Sequence, residues 1–187
     1  MLDRLWKSDA SYGIEKMQNR NDKPMIIRDA VRNDLPSIQS IINYYRMNTS
    51  HLWDRRPLTM EEMEVWLKSH SQPPYAAIVL EEAGVVIGYA SLSQFRPYEG
   101  FSPTTENSIY LDPSHTGKGY GSILMEALLK RAKSNGFKVI TAWIDSRNVE
   151  SVRFHVRFGF YHVGIMKNAG ILDGEPGHAI IMQYDVG

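Results

Sequence analysis

The stretch LDPSHTGKGYGSILMEALLKRA, Leu111 to Ala132, sets Gly117, Gly119 and Gly121 on alternate positions directly ahead of an amphipathic run. Glycine lets the backbone turn where a Cβ would clash, so successive N–H groups can converge on one concavity at a helix N-terminus, a geometry that binds phosphate. A flexible strand-to-helix connection is the plainer explanation, but a mere connection rarely needs three alternating glycines. The helix that follows turns Ile123, Leu124, Ala127, Leu128 and Ala132 inward and Lys130, Arg131 and Lys133 outward, and Asn135-Gly136 ends it.

Working outward, TENSIYLD (Thr105 to Asp112) is a strand stopped by Pro113, and KVITAWI (Lys138 to Ile144) is a β-branched strand. With the glycine helix between them they form a βαβ unit, which is expected to be parallel and right-handed. Upstream, MIIRDA (Met25 to Ala30) is a short strand, and Asp34 opens a helix carrying Leu35, Ile38, Ile41, Ile42 and Tyr45 on one face. Thr59 and Glu62 form a capping-box signature ahead of Met63, Trp66 and Leu67, in a helix that ends near Gln72-Pro73-Pro74. YAAIVLEE and VVIGYASLSQF flank Ala83-Gly84 as an antiparallel hairpin. Downstream, Asn148 to Phe158 is a shorter helix, Gly159-Phe160 starts another strand, and GHAIIMQYD closes the sheet. This order predicts an α/β (α+β) fold with a central mixed, mostly antiparallel sheet flanked by helices.

A chain of 187 residues fits one domain, here assigned to residues 25–187, preceded by an extension over residues 1–24. That extension is polar with scattered Leu2, Leu5, Trp6, Ile14 and Met17, as in a tail or docking arm. The 21 basic and 21 acidic side chains cancel, so no global field recruits nucleic acid or an anionic membrane. The absence of cysteine removes disulfides, cysteine-based metal sites and a thiol nucleophile together. No apolar stretch approaches the roughly 20 residues that cross a bilayer, and residues 1–24 lack the apolar middle of a secretory signal, so a cytoplasmic protein is expected.

Which phosphate the glycines hold depends on spacing. A P-loop requires G-x-x-x-x-G-K-[ST], which is absent. A dinucleotide turn requires G-x-G-x-x-G immediately after its strand, and Asp145 stands where a ribose-binding acid would; but the third glycine is displaced and Pro113 to Thr116 separate strand from glycines.

Strand, glycine loop, helix and the later NVESVRFHVRFGF together resemble the Gcn5-related N-acetyltransferase family, whose loop pattern is Arg/Gln-x-x-Gly-x-Gly/Ala. Gly119 and Gly121 match it, and Thr116 stands where Arg or Gln is usual. From Ile26 to about Gln183 the segments RDAVRNDLPSIQSIIN, PLTMEEMEVWL, VIGYASLSQFRPYEGF and TTENSIYLDP resemble the phosphinothricin acetyltransferase branch, and RPYEGF its methionine sulfoximine and sulfone N-acetyltransferases. Tyr98 occupies the place of a second arginine common in phosphinothricin enzymes. Near the C-terminus Leu172, Pro176 and His178 stand where the family commonly has lysine, tryptophan and aspartate, in a segment that often shapes the acceptor pocket.

The resemblance implies the GNAT-like acyl-CoA N-acyltransferase fold, acetyl-CoA as acetyl donor, no metal, a small-molecule amine as acceptor and a homodimer. Acetyl transfer asks for a base at the amine, donors for the developing oxyanion and a proton source for the departing thiolate. By resemblance Glu106 is the base, acting through water, although taken alone it reads as an exposed residue at a strand start. By resemblance His155 protonates the thiolate, whereas its helical face, shared with Val152 and Val156, also suits a core histidine. Ile109, Tyr110 and Leu111 would offer backbone groups to the pantetheine arm and thioester, and Gly117, Lys118, Gly119, Tyr120, Gly121 and Ser122 would form the pyrophosphate loop. Asn148 either caps its helix or touches the pantetheine arm, and Ser151 either lies near phosphate or is a surface residue. Arg96 suits bidentate pairing with an amino-acid carboxylate, with a solvated loop arginine as the alternative. Tyr98, Glu99, Gly100 and Phe101 would wall the acceptor pocket, with Phe95, Tyr44, Tyr45 and Trp53 as apolar lining or core. The expected activity is acetylation of the α-amine of a small amino acid or analogue. The rivals are a polyamine, aminoglycoside or peptide N-terminus as acceptor, or an acetyl-CoA-binding module without turnover.

Overall fold

The computed structural model describes residues 24–187 in full and, before them, the backbone course of two strands, β1 (Lys7–Asp9) and β2 (Ile14–Gln18). Leu2, Leu5 and Trp6 lie outside the described residues, as does most of the extension read as a tail or docking arm. The two strands continue the sheet antiparallel beyond β3 (Pro24–Asp29).

The remaining elements are α1 (Leu35–Asn48), α2 (Met60–His70), β4 (Ala76–Glu82), β5 (Val85–Gln94), β6 (Thr104–Leu111), α3 (Tyr120–Ser134), β7 (Val139–Asp145), α4 (Val149–Arg157), β8 (Tyr161–Leu172) and β9 (Glu175–Asp185). The sheet runs β1-β2-β3-β4-β5-β6-β7-β9-β8, antiparallel throughout except for the parallel pair β6 and β7. The βαβ unit and the mixed, mostly antiparallel sheet are therefore as expected from the sequence. At the β4–β5 turn both Ala83 (φ +50°) and Gly84 (φ +84°) are left-handed, which matches the right-handed twist of the flanking strands.

Because side chains alternate across a strand, Ile78 and Leu80 face one layer and Val79 the other. Leu124, Leu128 and Ala132 of α3 pack on the first face with Ile140 and Ala142, and Leu35, Ile38, Ile41 and Met63 of α1 and α2 pack on the second with Val79 and Tyr89. The capping box at α2 forms as expected: Thr59 Oγ1 accepts from Glu62 N at 3.3 Å, and Glu62 Oε2 accepts from Thr59 N at 2.9 Å. Asp34 departs from expectation. It stands at the α1 N-cap, but its carboxylate makes no bond to the helix; it takes both arms of the Arg28 guanidinium at 2.6 and 2.8 Å and the N–H of Val31 at 2.8 Å. A charged bidentate partner outcompetes a neutral helix N–H.

The parallel pairing is short. Thr104, Thr105 and Glu106 meet Val139, Ile140 and Thr141, and there it ends. Beyond Glu106, β6 stays with β5 as far as Leu111 and β7 stays with β9 as far as Asp145, so the two strands diverge into a fork in the middle of the sheet.

Candidate active site

The fork opens a cleft of about 990 Å³ between β6, β7, the glycine loop, α4 and the start of the α1–α2 loop. Alternation divides its residues between the two faces of the sheet. Asn107, Ile109 and Leu111 of β6 look toward α3 and α4, as their contacts with those helices show. Glu106 and Tyr110 look toward α1 and α2, and on β7 Trp143 and Asp145 share that side.

On the first face the loop builds a cradle. Gly117 (φ +72°) and Gly119 (φ +86°) are left-handed, and a Cβ on either would enter open space. Gly119 is the N-cap of α3 and offers no side chain to the first-turn N–H groups, leaving the positive end of a 15-residue helix facing the cleft. A diphosphate fits this donor set.

Across from the cradle, α4 supplies His155, buried against the edges of the Phe154 and Phe160 rings. Its Nδ1 lies 2.8 Å from Ser151 O, and its Nε2 lies 3.1 Å from Asn107 Nδ2. A carbonyl only accepts, so Nδ1 carries the proton, and Nε2 accepts from the Asn107 amide. Burial lowers the imidazole pKa against the opposing pull of the Ser151 bond, which favours the neutral ring.

On the second face Glu106 is half-buried. Burial raises its carboxyl above the usual value of 4.5, and the charge of Arg96 pulls it back. Tyr45 donates its hydroxyl to Leu111 O at 2.9 Å, and its ring stacks on His51, with centroids 5.7 Å apart. Burial holds His51 below the ordinary histidine value, countered by Asp145 and Glu150. The loop bearing His51 is fastened by Trp53, whose indole N–H donates to Asp145 Oδ2 at 2.6 Å, and by Arg55, which pairs with Asp173 at 2.6 Å.

The structure therefore brings Ile109, Tyr110, Leu111, Gly117, Gly119, Gly121, Ser122, Asn148, Ser151 and His155 together around one cleft. Asn148 also caps α4, its Oδ1 accepting from Ser151 N at 3.1 Å. Lys118 and Tyr120 point elsewhere: Lys118 Nζ donates to Ser114 O, and the Tyr120 hydroxyl donates to Glu82. Glu106 stands beside the cleft on its second face. Arg96, Tyr98, Glu99, Gly100 and Phe101 form an exposed loop between β5 and β6, with Arg96 over the Phe95 ring at 5.2 Å and Phe95 against Phe101. Tyr44 and Tyr45 line the cleft, while Trp53 is a fastener. Leu172 is buried, Pro176 pairs with Ile171 and His178 Nδ1 accepts from Asn168 N at 3.0 Å, so all three build the β8–β9 hairpin.

Asn107, Trp143 and His51 line the cleft and were missed by sequence reasoning. Among the described residues two buried side-chain polar atoms have no hydrogen-bond partner, Asn107 Oδ1 and Trp143 Nε1, and both belong to this cleft. The only signal in the sequence was a polar residue and an indole inside runs of strand formers, which alternation alone does not distinguish from packing.

Comparison with known proteins agrees with this geometry. Residues 38–160 match the acetyltransferase (GNAT) family. The L-methionine sulfoximine/L-methionine sulfone acetyltransferase of Pseudomonas aeruginosa is 39% identical over 145 residues, covering 77% of this chain and 84% of that protein. The acetyltransferase yncA of Salmonella typhimurium, solved with its cofactor acetyl-CoA, superimposes with a TM-score of 0.84 at 34% identity over 87% of this chain and 94% of that one. A phosphinothricin acetyltransferase (Pat) from Sinorhizobium meliloti, in complex with AcCoA, gives 0.82 at 33% identity, covering 86% and 88%. A strand fork with a glycine cradle on one face, a carboxylate on the other and this breadth of similarity make the chain a member of the acetyltransferase (GNAT) family and an N-acetyltransferase.

Proposed function

We propose that this enzyme acetylates the α-amine of a small amino acid or close analogue, of the methionine sulfoximine, methionine sulfone or phosphinothricin kind, with acetyl-CoA as donor. The observation that carries the reading is the fork itself: it admits a thioester arm between two faces, with the anion cradle on one side and Glu106 on the other. The names of the relatives support the choice of acceptor.

When bound, acetyl-CoA supplies an acetyl group activated as a thioester. Gly117, Gly119 and Gly121 hold its diphosphate by backbone N–H groups, and the open β7-facing edge of β6 from Ile109 to Leu111 receives its arm. Glu106, kept in a partly dry setting, takes the proton of the acceptor ammonium, through a water where the reach requires it. Arg96, close enough for its charge to be felt at Glu106, pairs with the acceptor carboxylate. A homodimer belongs to the same reading, supported by the exposed apolar side chains of Val163, Ile165 and Ile171 on the sheet's last strand. So do a cytoplasmic location and the division into an extension over residues 1–24 and a domain over 25–187. No helix among the described residues is long and apolar enough to cross a membrane.

The test is thiol release from acetyl-CoA against amino acids, methionine sulfoximine and sulfone, phosphinothricin, polyamines and a peptide. Preference for the amino-acid analogues supports the reading. Preference for a polyamine or peptide moves the acceptor, and silence across the panel with intact acetyl-CoA binding favours a module without turnover. In the same assay Arg96→Ala is expected to raise KM for amino acids about tenfold while leaving simple amines nearly unchanged, as for loss of a charged hydrogen-bond pair. Equal effects on both would remove the carboxylate role.

The cradle carries its own prediction. Gly119→Ala places a Cβ at φ +86°, a conformation costing an L-residue about 1–2 kcal/mol. Acetyl-CoA Kd is expected to rise about tenfold, read by calorimetric titration, with KM for the amine little changed. An unaltered Kd would mean that the loop does not hold the diphosphate.

A further inference from the structure

Asn107 follows the expected base, Glu106, and points to the other face of the fork. It is 7% exposed, lines the cleft and divides its amide unequally: Nδ2 serves His155 Nε2, and Oδ1 is buried with no donor. A buried carbonyl oxygen without a donor is a costly arrangement that a structure keeps where something else completes it. The opposite orientation of the amide is closed to a neutral His155, because Nδ1 must give its proton to Ser151 O and Nε2 then has none to offer Oδ1.

We propose that Asn107 is a positioning residue of the transfer reaction: by donating to Nε2 it holds His155 as the Nδ1–H tautomer, and its own Oδ1 is the acceptor for an N–H of the ligand in the fork. This rests on the acetyltransferase reading for the identity of that ligand. The N–H belongs either to an amide of the acetyl-CoA arm or to the attacking amine.

One consequence concerns the proton of the leaving group. His155 at rest carries no proton at Nε2, so it cannot serve as donor until it has received one there. Glu106 takes the first proton, from the ammonium; the second, which the nitrogen loses once its bond to the acetyl carbon has formed, can move to Nε2 and from there to sulfur as the C–S bond breaks, which leaves an amide and a neutral thiol. The hydrogen-bond partner of Nε2 is Asn107. Phe154 and Phe160 pack against the imidazole, Ser151 caps Nδ1, and the charged residues of α4 are Glu150, Arg153 and Arg157.

The test begins with the wild-type chain, by 15N-detected histidine NMR near pH 7. The expected pattern for His155 is a protonated Nδ1 and an unprotonated Nε2; an Nε2–H tautomer would overturn the proposal with no variant needed. Asn107→Asp puts a fixed anionic acceptor opposite Nε2 and is expected to raise the His155 pKa by about one unit or more, seen both in the 15N shifts and in the pH profile of kcat. Shifts and profile identical to wild type would refute the tautomer role. For Oδ1, Asn107→Leu removes the acceptor at similar volume, with Asn107→Ala as the smaller variant should the first melt early. A rise of about fivefold or more in acetyl-CoA Kd assigns the N–H to the cosubstrate arm, and the same rise in KM for the amine alone assigns it to the acceptor. If neither moves, Oδ1 has no ligand. A wild-type chain that binds no acetyl-CoA would instead end the acetyltransferase reading, an outcome distinct from all of these.

Discussion

Glu106→Gln is expected to lower turnover at neutral pH by about 10²- to 10⁴-fold, the usual worth of a positioned general base. Acetyl-CoA Kd should stay near the wild-type value, because the glycine cradle and Glu106 lie on opposite faces of the fork. The pH dependence has a definite sign. Burial lifts the Glu106 pKa above 4.5 and Arg96 draws it down, so the ionised, working form is lost as pH falls through a value higher than that of an ordinary glutamate. In kcat/KM this is an acid limb displaced upward. The glutamine variant should lack that limb, and Arg96→Ala, by removing the opposing cation, should push it to still higher pH. Turnover undiminished in Glu106→Gln, or an acid limb that survives it, would show that another group deprotonates the amine.

The βαβ unit was legible because its signals are local. Three alternating glycines, a periodic helix and two strand-forming runs sit within about forty residues, and each obeys a rule that needs no distant partner. The residues assigned to the cofactor between Ile109 and Ser122 came from the family resemblance; they line the cleft, apart from Lys118 and Tyr120, whose side chains are taken by Ser114 and Glu82. The fork was not legible. It exists because β6 keeps β5 and β7 keeps β9 past the point where they could have kept each other, and strand choice of that kind is settled by contacts far apart in sequence. Asn107 and Trp143 were hidden for the same reason, since inside TENSIYLD and KVITAWI nothing marks the place where the neighbouring strand departs. The loop from Arg96 to Phe101 was placed by resemblance, and its exposure could not be read from residues that suit a pocket wall and a solvated loop equally well. Asp34 opens α1 as its sequence position suggests, but propensity ignores the arginine on the preceding strand that takes its carboxylate from the helix.

The clamp around Trp53 joins residues about a hundred positions apart, and its removal is the second large effect. The indole lies against the β8–β9 hairpin so closely that a Cβ on Gly170 would come within 2.6 Å of it and a Cβ on Gly177 within 2.9 Å. Only glycine fits at either position while the ring stays. Trp53→Ala is expected to lower stability by about 3 kcal/mol, the lower end for a packed tryptophan because this one is partly exposed. Gly170→Ala should act on the same contact from the other side, by expelling the ring. Both release the loop that carries Thr49 and His51 into the cleft, whereas the glycine cradle lies on the other face of the fork. KM for the amine should therefore rise well above any change in acetyl-CoA Kd; equal losses would reduce the clamp to general stability. Trp53→Phe separates packing from the hydrogen bond. Asp145 is desolvated, yet its bonds from Arg147 and Trp53 bring its carboxyl down to about 2 from an ordinary 3.8. A depressed carboxylate stabilises the fold above its unfolded pKa and loses that contribution as pH falls through the folded one. Without the indole N–H the folded value moves back toward 3.8, so the phenylalanine variant should be less stable near neutrality and should lose less of its stability between pH 4 and pH 2. Thermal melts across that range read the slope directly, and a slope as steep as the wild type's would assign the depression to Arg147 alone.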